Sequence, residues 1–155
     1  MDAAALFSAL PGHWVGIART WFEPGQLADE SPIDGSIEPV LGGRLLRHTY
    51  RGAMQGKPRM GEETIAFNKT GPRWEVSWVD DFHMGKAILH SVGDATDTGF
   101  TVLGHYLVGD PHPPWGWRTT YALEGPDQLT IRSHNVMPGE AEALAIEVRY
   151  RRVPA

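Results

Sequence analysis

The sequence contains no cysteine. That absence excludes disulfide bonds, thiolate nucleophiles and zinc sites built on thiolates. Long hydrophobic runs are also missing, since no stretch approaches the roughly 18 apolar residues that a membrane span needs. The chain has 14 Lys and Arg against 19 Asp and Glu, so it lacks the surplus of positive charge that holds a phosphate backbone. We therefore expect neither a membrane nor a nucleic acid as partner.

The N-terminus lacks the basic start of a secretory signal peptide, because Asp2 stands there, and we expect a cytoplasmic protein. Catalytic fingerprints are missing as well. No serine lies in a nucleophile elbow, and no glycine-rich phosphate loop occurs. The sequence thus predicts no catalytic residue, no metal and no cofactor.

What the chain does have is a succession of alternating, aromatic-rich segments separated by turn residues, with 18 Gly and 12 Pro. No helical period of useful length falls between them, which argues against parallel βαβ units. The pattern predicts an all-β fold: one closed antiparallel up-and-down barrel of about 8–10 strands over residues 1–155. An open two-sheet sandwich is the alternative. The predicted strands are 12–22, 33–41, 44–54, 59–68, 74–80, 86–92, 100–108, 117–123, 128–136 and 143–152.

A short helix is predicted before the first strand, over residues 3–10, with Asp2 as its N-cap. Pro11 and Gly12 end it. A helix in this position commonly closes one end of a barrel, and we expect it to do so here. A polar loop is expected between the turn at Pro24 and the second strand.

Alternation places aromatic residues on one face of several predicted strands, and we expect those faces to line the barrel interior. They carry polar groups as well, and a buried polar group needs a hydrogen-bond partner. These side chains therefore form either a structural network in a filled core or a ligand site. The candidate ligand-binding residues are His48, Tyr50, Trp78, Asp80, Trp117, Thr119, Tyr121, Arg132 and His134.

Two connections deserve separate interpretation. The run 80–83 (Asp-Asp-Phe-His) has the side chains of a metal site but matches no metal spacing, so turn chemistry is favoured. The Pro-rich loop 110–117 contains Trp115 and Trp117. It is either a rigid hairpin whose tryptophan rings cover the barrel rim, or a functional element, which would be one wall of an entrance to the barrel or a dimer contact.

Four segments resemble a bacterial family known as domain of unknown function 1579: residues 10–16, 41–52, 78–80 and 147–150. The Leu-Gly-Gly-Arg element at 41–44, followed by Tyr-Arg-Gly at 50–52, is the most specific part. The resemblance implies a lipocalin-like or streptavidin-like barrel and brings no established activity. The chain departs from the family at Thr49, where the family usually has an acidic residue, and at residues 81–83, which replace a smaller turn of the Ser-Met type.

The chain also looks distantly like the nitrobindin barrels, which share the Gly-x-Trp-x-Gly opening seen at 12–16. Those barrels ligate haem through a histidine near the start of the last strand. Residues 143–150 contain no histidine, so the proximal ligand is missing and we do not expect haem.

Three hypotheses follow. The first is a barrel that binds one small hydrophobic or amphipathic molecule, with Tyr50, Trp78, Trp117 and Tyr121 as walls and the charged candidates fixing its orientation. The second is a small isomerase or hydrolase using a His–Asp pair such as His48 and Asp80. The third is a filled barrel that serves as a homodimeric interaction module.

Overall fold

The computed structural model describes residues 1–155 and contains one helix and ten strands, which close into a single antiparallel barrel. Each strand pairs with its neighbours along the chain, and the first pairs with the last from Trp14 opposite Arg152 to Thr20 opposite Ile146. The barrel prediction is confirmed and the sandwich alternative is wrong. The elements are α1 Ala3–Ala9, β1 Gly12–Glu23, β2 Gln26–Val40, β3 Leu45–Met54, β4 Lys57–Asn68, β5 Arg73–Asp80, β6 Leu89–Ala95, β7 Gly99–Tyr106, β8 Trp115–Gly125, β9 Gln128–Val136 and β10 Ala143–Arg152.

Strand β2 begins well before the predicted position. The sequence predicted a polar loop up to residue 32, but β2 starts at Gln26 and pairs with β1 along this stretch. Burial alternates there, with Ser31 and Ile33 inside and Pro32 outside. The outer face of this segment is solvated and therefore polar. Because of that polar composition, the sequence predicted a loop there instead of a strand.

Helix α1 covers one end of the barrel, as predicted. The Asp2 carboxylate accepts a hydrogen bond from the N–H of Ala5 at 2.7 Å, which caps the helix. Leu6 and Leu10 are fully buried, and the Phe7 ring stacks on Trp74 with centroids 5.8 Å apart. We call this end the closed end. No helix of the protein has the length and apolar character needed to cross a membrane.

Because the strands alternate in direction, the connections that follow β1, β3, β5, β7 and β9 all lie at the opposite end of the barrel. We call this end the mouth. Between β5 and β6 lie residues 81–88, here called the mouth segment. Phe82 in this segment stacks on Phe22 near the end of β1, with ring centroids 6.1 Å apart. Since β1 and β5 are separated by three strands on one side and five on the other, this contact spans the mouth.

The half of the barrel next to the closed end is filled by stacked aromatic rings. Trp74 stacks on Phe100 with centroids 4.3 Å apart, and Phe100 stacks on Tyr121 at 4.8 Å. All three residues are fully buried. Such offset stacks fill volume closely, so this half is a packed core. Any interior space must lie between Tyr121 and the mouth.

Candidate functional site

A cavity of about 40 Å³ lies in the mouth half of the barrel. Because one water needs roughly 10–15 Å³ by this measure, the cavity has room for about three water-sized groups. Its lining combines apolar and aromatic side chains with several charged and polar ones. The lining residues are Ile33, His48, Tyr50, Arg59, Glu63, Trp78, Trp117, Thr119, Ile131, Ser133, Ile146 and Val148.

His48 is the centre of a buried hydrogen-bond network at the base of this cavity. Its Nδ1 lies 3.0 Å from a Glu63 carboxylate oxygen, and its Nε2 lies 3.1 Å from the Tyr150 hydroxyl. The Tyr121 hydroxyl donates to the same Glu63 oxygen at 2.5 Å. When Nδ1–H donates to Glu63, Nε2 is left to accept from Tyr150, so both ring nitrogens and both hydroxyls have partners. The network therefore holds the imidazole in one orientation.

Burial raises the pKa of Tyr121 and Tyr150 well above the ordinary value, and the nearby Glu63 carboxylate raises both further. The pKa of Tyr50 is raised in the same way by burial. A phenol whose pKa is raised stays protonated at neutral pH. All three tyrosines therefore present hydroxyl hydrogens as donors.

Two glycines make room for these hydroxyls. A β-carbon on Gly61 would lie 2.6 Å from Cζ of Tyr50, and one on Gly35 would lie 2.8 Å from Cζ of Tyr150. Any other residue would push the phenol ring out of its place. Both glycines face inward beside these phenol rings, so the network depends on them.

Two indole rings form the wall of the cavity near the mouth. Trp78 and Trp117 stack with centroids 5.5 Å apart and planes 15° apart. The Trp78 Nε1–H donates to the Tyr50 hydroxyl at 2.8 Å. The His83 ring, from the mouth segment, lies 5.7 Å from Trp78 and 5.8 Å from Trp117. The mouth segment thus covers the indole wall.

Arg59 also lines the cavity, and it is only 6% exposed. Its guanidinium has no carboxylate within 4.0 Å and donates no hydrogen bond to the protein. Its one charge-related contact is with the face of Tyr50, whose ring centre lies 5.7 Å from Cζ. Arg19, Arg132 and Arg149, by contrast, all pair with carboxylates.

Asp80 holds the mouth segment rather than lining the cavity. Its carboxylate accepts hydrogen bonds from the backbone N–H groups of His83 and Met84, at 2.9 and 2.5 Å, and contacts the His83 ring at 3.1 Å. Burial alone would raise the pKa of Asp80, but the His83 ring and the two N–H donors outweigh it and lower that pKa. This is the turn chemistry favoured for residues 80–83. The expected pairing of Asp80 with His48 is wrong, because His48 pairs with Glu63.

Arg132 and His134 do not face the interior, and that expectation is wrong. Strand β9 turns Ile131 and Ser133 inward, so the residues between them point outward. Arg132 bonds Glu147 on the outer face at 2.8 Å. His134 lies opposite Arg118 in the β8–β9 ladder. Burial lowers the pKa of His134.

The structure brings His48, Tyr50, Trp78, Trp117 and Thr119 together around the cavity. Tyr121 lies below them and reaches the site through its hydroxyl. Three further residues of the site were not predicted from the sequence: Arg59 and Glu63 on β4, and Tyr150 on β10. The alternation along each strand could have identified them, because they lie an even number of residues from apolar residues that face inward on the same strand.

These features, a ten-stranded closed barrel with a small polar and aromatic interior, are consistent with a calycin-like barrel. The chain belongs to the family described as protein of unknown function DUF1579, whose profile matches residues 2–152. The resemblance seen in the sequence is thereby confirmed.

Two solved structures share the fold. One is described as the crystal structure of Rv2717c from M. tuberculosis, at 16% identity and a TM-score of 0.68, covering 99% of both chains. The other is an S-type phycobiliprotein lyase, CPES, from Guillardia theta, at 14% identity and a TM-score of 0.62, covering 100% of this chain and 94% of that one. No curated protein matches the chain significantly.

Proposed function

We propose that this protein binds one small amphipathic molecule in the mouth half of its barrel. The observation that carries the proposal is the cavity itself, where an apolar wall and several polar groups converge on one space. Sites for small molecules usually have this character. The likeness of its fold to that of the phycobiliprotein lyase is compatible with this proposal.

Free hydrogen-bonding capacity in the cavity supports the same proposal. Thr119 and Ser133 bond each other at 3.2 Å, and each hydroxyl retains further donor or acceptor positions. The stacked indoles of Trp78 and Trp117 supply a flat apolar surface. A molecule with an apolar body and a polar end would satisfy both.

The size of the cavity sets how binding occurs. About 40 Å³ accommodates a polar end group and little more. A longer molecule requires the mouth segment to move, which separates Phe82 from Phe22. Both rings are about half exposed, so this contact costs little to break. The body of the ligand would then lie where the His83 ring now meets the indoles.

The proposal is tested with matched variants of adjacent threonines. Thr119 points into the cavity, and Thr120 points out and bonds Thr101. Thr119→Ile fills the cavity, and overpacking of about 1–3 kcal/mol weakens binding roughly tenfold or more. Thr120→Ile leaves it unchanged. Both are titrated with fatty acids, terpenoids and aromatic acids while tryptophan fluorescence is followed. Equal binding by the two variants, or no binding by the parent protein, would overturn the proposal.

A homodimer remains the alternative reading of the barrel surface. Leu107, in the connection that precedes β8 at the mouth, is 85% exposed. A symmetric dimer would cover it. Sedimentation velocity from low to high micromolar concentration tests this, and a monomer throughout would contradict it.

A further inference from the structure

The guanidinium of Arg59 is a charge without a counter-charge. Its side chain is buried, lines the cavity, and makes no ion pair or hydrogen bond with the protein. Burying an unpaired ion costs several kcal/mol in general. The contact with the face of Tyr50 at 5.7 Å offsets part of this cost, but it occupies none of the five N–H donors.

A second donor in the cavity is unused. The Tyr50 hydroxyl accepts from Trp78 Nε1, and its own hydrogen has no acceptor within bonding distance. Tyr50 and Arg59 therefore both present free donors to the same space. Neither finds an acceptor in the protein.

We infer that Arg59 recognises the carboxylate of a small monocarboxylic acid, with the Tyr50 hydroxyl as a second donor to it. This inference rests on the proposed function and adds the chemical class of the ligand. A guanidinium matches the planar carboxylate in a bidentate manner. The anion supplies the acceptor that neither donor finds within bonding distance in the protein.

Charge and size in the cavity favour a single carboxylate over a phosphate. Arg59 is the only basic side chain among the lining residues whose charge is permanent, and Glu63 lines the same cavity. A doubly charged anion would be repelled by Glu63 without a second cation to hold it. The 40 Å³ volume also matches a carboxyl group, which has three heavy atoms.

Outward-facing Arg132 provides a matched control. It lies on β9 next to the cavity-lining Ile131 and Ser133, but it is paired with Glu147 on the outer face. Its removal changes the net charge by the same amount as removal of Arg59. An effect confined to Arg59 therefore reports on the cavity rather than on the overall field of the protein.

The test measures binding of acids and their uncharged amides by calorimetry, using propionate, hexanoate and benzoate with propionamide, hexanamide and benzamide. The parent protein is expected to bind at least one acid about tenfold or more tightly than its amide. Arg59→Met loses this preference and binds acid and amide alike. Arg132→Met keeps it. Inorganic phosphate does not compete.

The outcomes separate the two proposals. If the amides bind as tightly as the acids, the cavity still takes small molecules and only the role of Arg59 is wrong. If neither acids nor amides bind but terpenoids do, only the inference about the carboxylate is wrong. If none of these classes binds, both proposals are wrong. Competition by phosphate at the same concentration as the acids would overturn the assignment to a monocarboxylate. Binding of propionate as tightly as hexanoate identifies the closed cavity itself as the site, whereas preference for hexanoate identifies an opened mouth.

A stability measurement tests Arg59 without any ligand. Methionine keeps most of the length of the side chain and removes the unpaired charge, so Arg59→Met is expected to raise the melting temperature by about 2–4 °C. Added benzoate then raises the melting temperature of the parent protein and leaves that of Arg59→Met unchanged. A melting temperature lowered by Arg59→Met would show that the guanidinium serves the fold, and would overturn the inference.

Discussion

Gly35 and Tyr150 fit together as a hole and a knob across the barrel interior. A β-carbon on Gly35 would lie 2.8 Å from Cζ of Tyr150 and 3.2 Å from Nε2 of His48. The bond between those two side chains runs through the space that Gly35 leaves open. The base of the candidate site therefore requires glycine at position 35 of β2 as well as His48 on β3 and Tyr150 on β10.

Gly35→Ala is expected to destabilise the protein by about 1–3 kcal/mol, because the added methyl overpacks the network. Urea denaturation measures the loss. Gly71 lies in a turn with no atom within 4 Å of the corresponding position, so Gly71→Ala serves as the control and should be near neutral. Equal effects of the two changes would contradict the packing argument.

Tyr150→Phe is expected to cost about 1–3 kcal/mol, since it leaves Nε2 of His48 buried without a partner. Tyr106 offers a matched comparison. Its hydroxyl donates to Asn135 at 2.6 Å, but the residue is only half-buried, and the amide can turn to solvent. Tyr106→Phe should cost less than about 1 kcal/mol. A larger loss of stability in Tyr106→Phe than in Tyr150→Phe would contradict this role of the Tyr150 hydroxyl.

Thr20→Val is expected to stabilise the protein. Thr20 is 1% exposed, and its hydroxyl has no hydrogen-bond partner. Valine has the same shape and removes the unsatisfied group, for a gain of about 1 kcal/mol or more. Thr101→Val is the contrast, because it breaks a bond of 3.0 Å to Thr120 and should destabilise. Thermal unfolding distinguishes the signs, and a loss with Thr20→Val would refute the prediction.

Asp80→Asn is expected to destabilise the protein by about 1–3 kcal/mol at neutral pH, since an amide cannot accept with both of its heavy atoms. The pKa of Asp80 is lower in the folded state than its ordinary value near 3.8. Its contribution is therefore present above that pH and is lost as the pH falls toward the folded value. The difference in the free energy of unfolding between the parent protein and Asp80→Asn should disappear below about pH 4.

The control for this change is Asp34→Asn. Asp34 is exposed and pairs only with His13 at the surface, where such pairs contribute less than about 1 kcal/mol. Stability is followed by urea denaturation at several pH values. A gap between Asp80→Asn and the parent that widens in acid would contradict the assignment of Asp80 as a charged acceptor.

The barrel could be predicted from the sequence because alternation and turn residues are local signals. The strand around Trp78 shows this, since the apolar inward residues Trp74, Val76 and Trp78 alternate with the polar outward residues Arg73, Glu75 and Ser77. The start of β2 could not be predicted, because its outer face is charged and its inner face begins with small residues. Local composition there resembles a loop, and only pairing with β1 makes it a strand.

The site was harder to predict than the fold. Alternation along the strand identified His48 and Tyr50 as inward residues. It gave the wrong face for Arg132 and His134, because β9 has no Phe, Tyr or Trp to mark its inward face. Arg59 was missed because a charged residue at the start of a strand is ordinarily assigned to solvent. In the barrel it lies over the Tyr50 ring and lines the cavity, and the pairing of strands creates that cavity.

The most direct test of the central claim uses the indole N–H signals of the six tryptophans in a nitrogen–proton correlation spectrum, assigned by single Trp→Phe variants. Benzoate and hexanoate are titrated into the protein. Binding in the mouth half predicts that the signals of Trp78 and Trp117 move, while those of Trp14 and Trp74, packed near the closed end, stay in place. Movement confined to other tryptophans, or none at all, would contradict it.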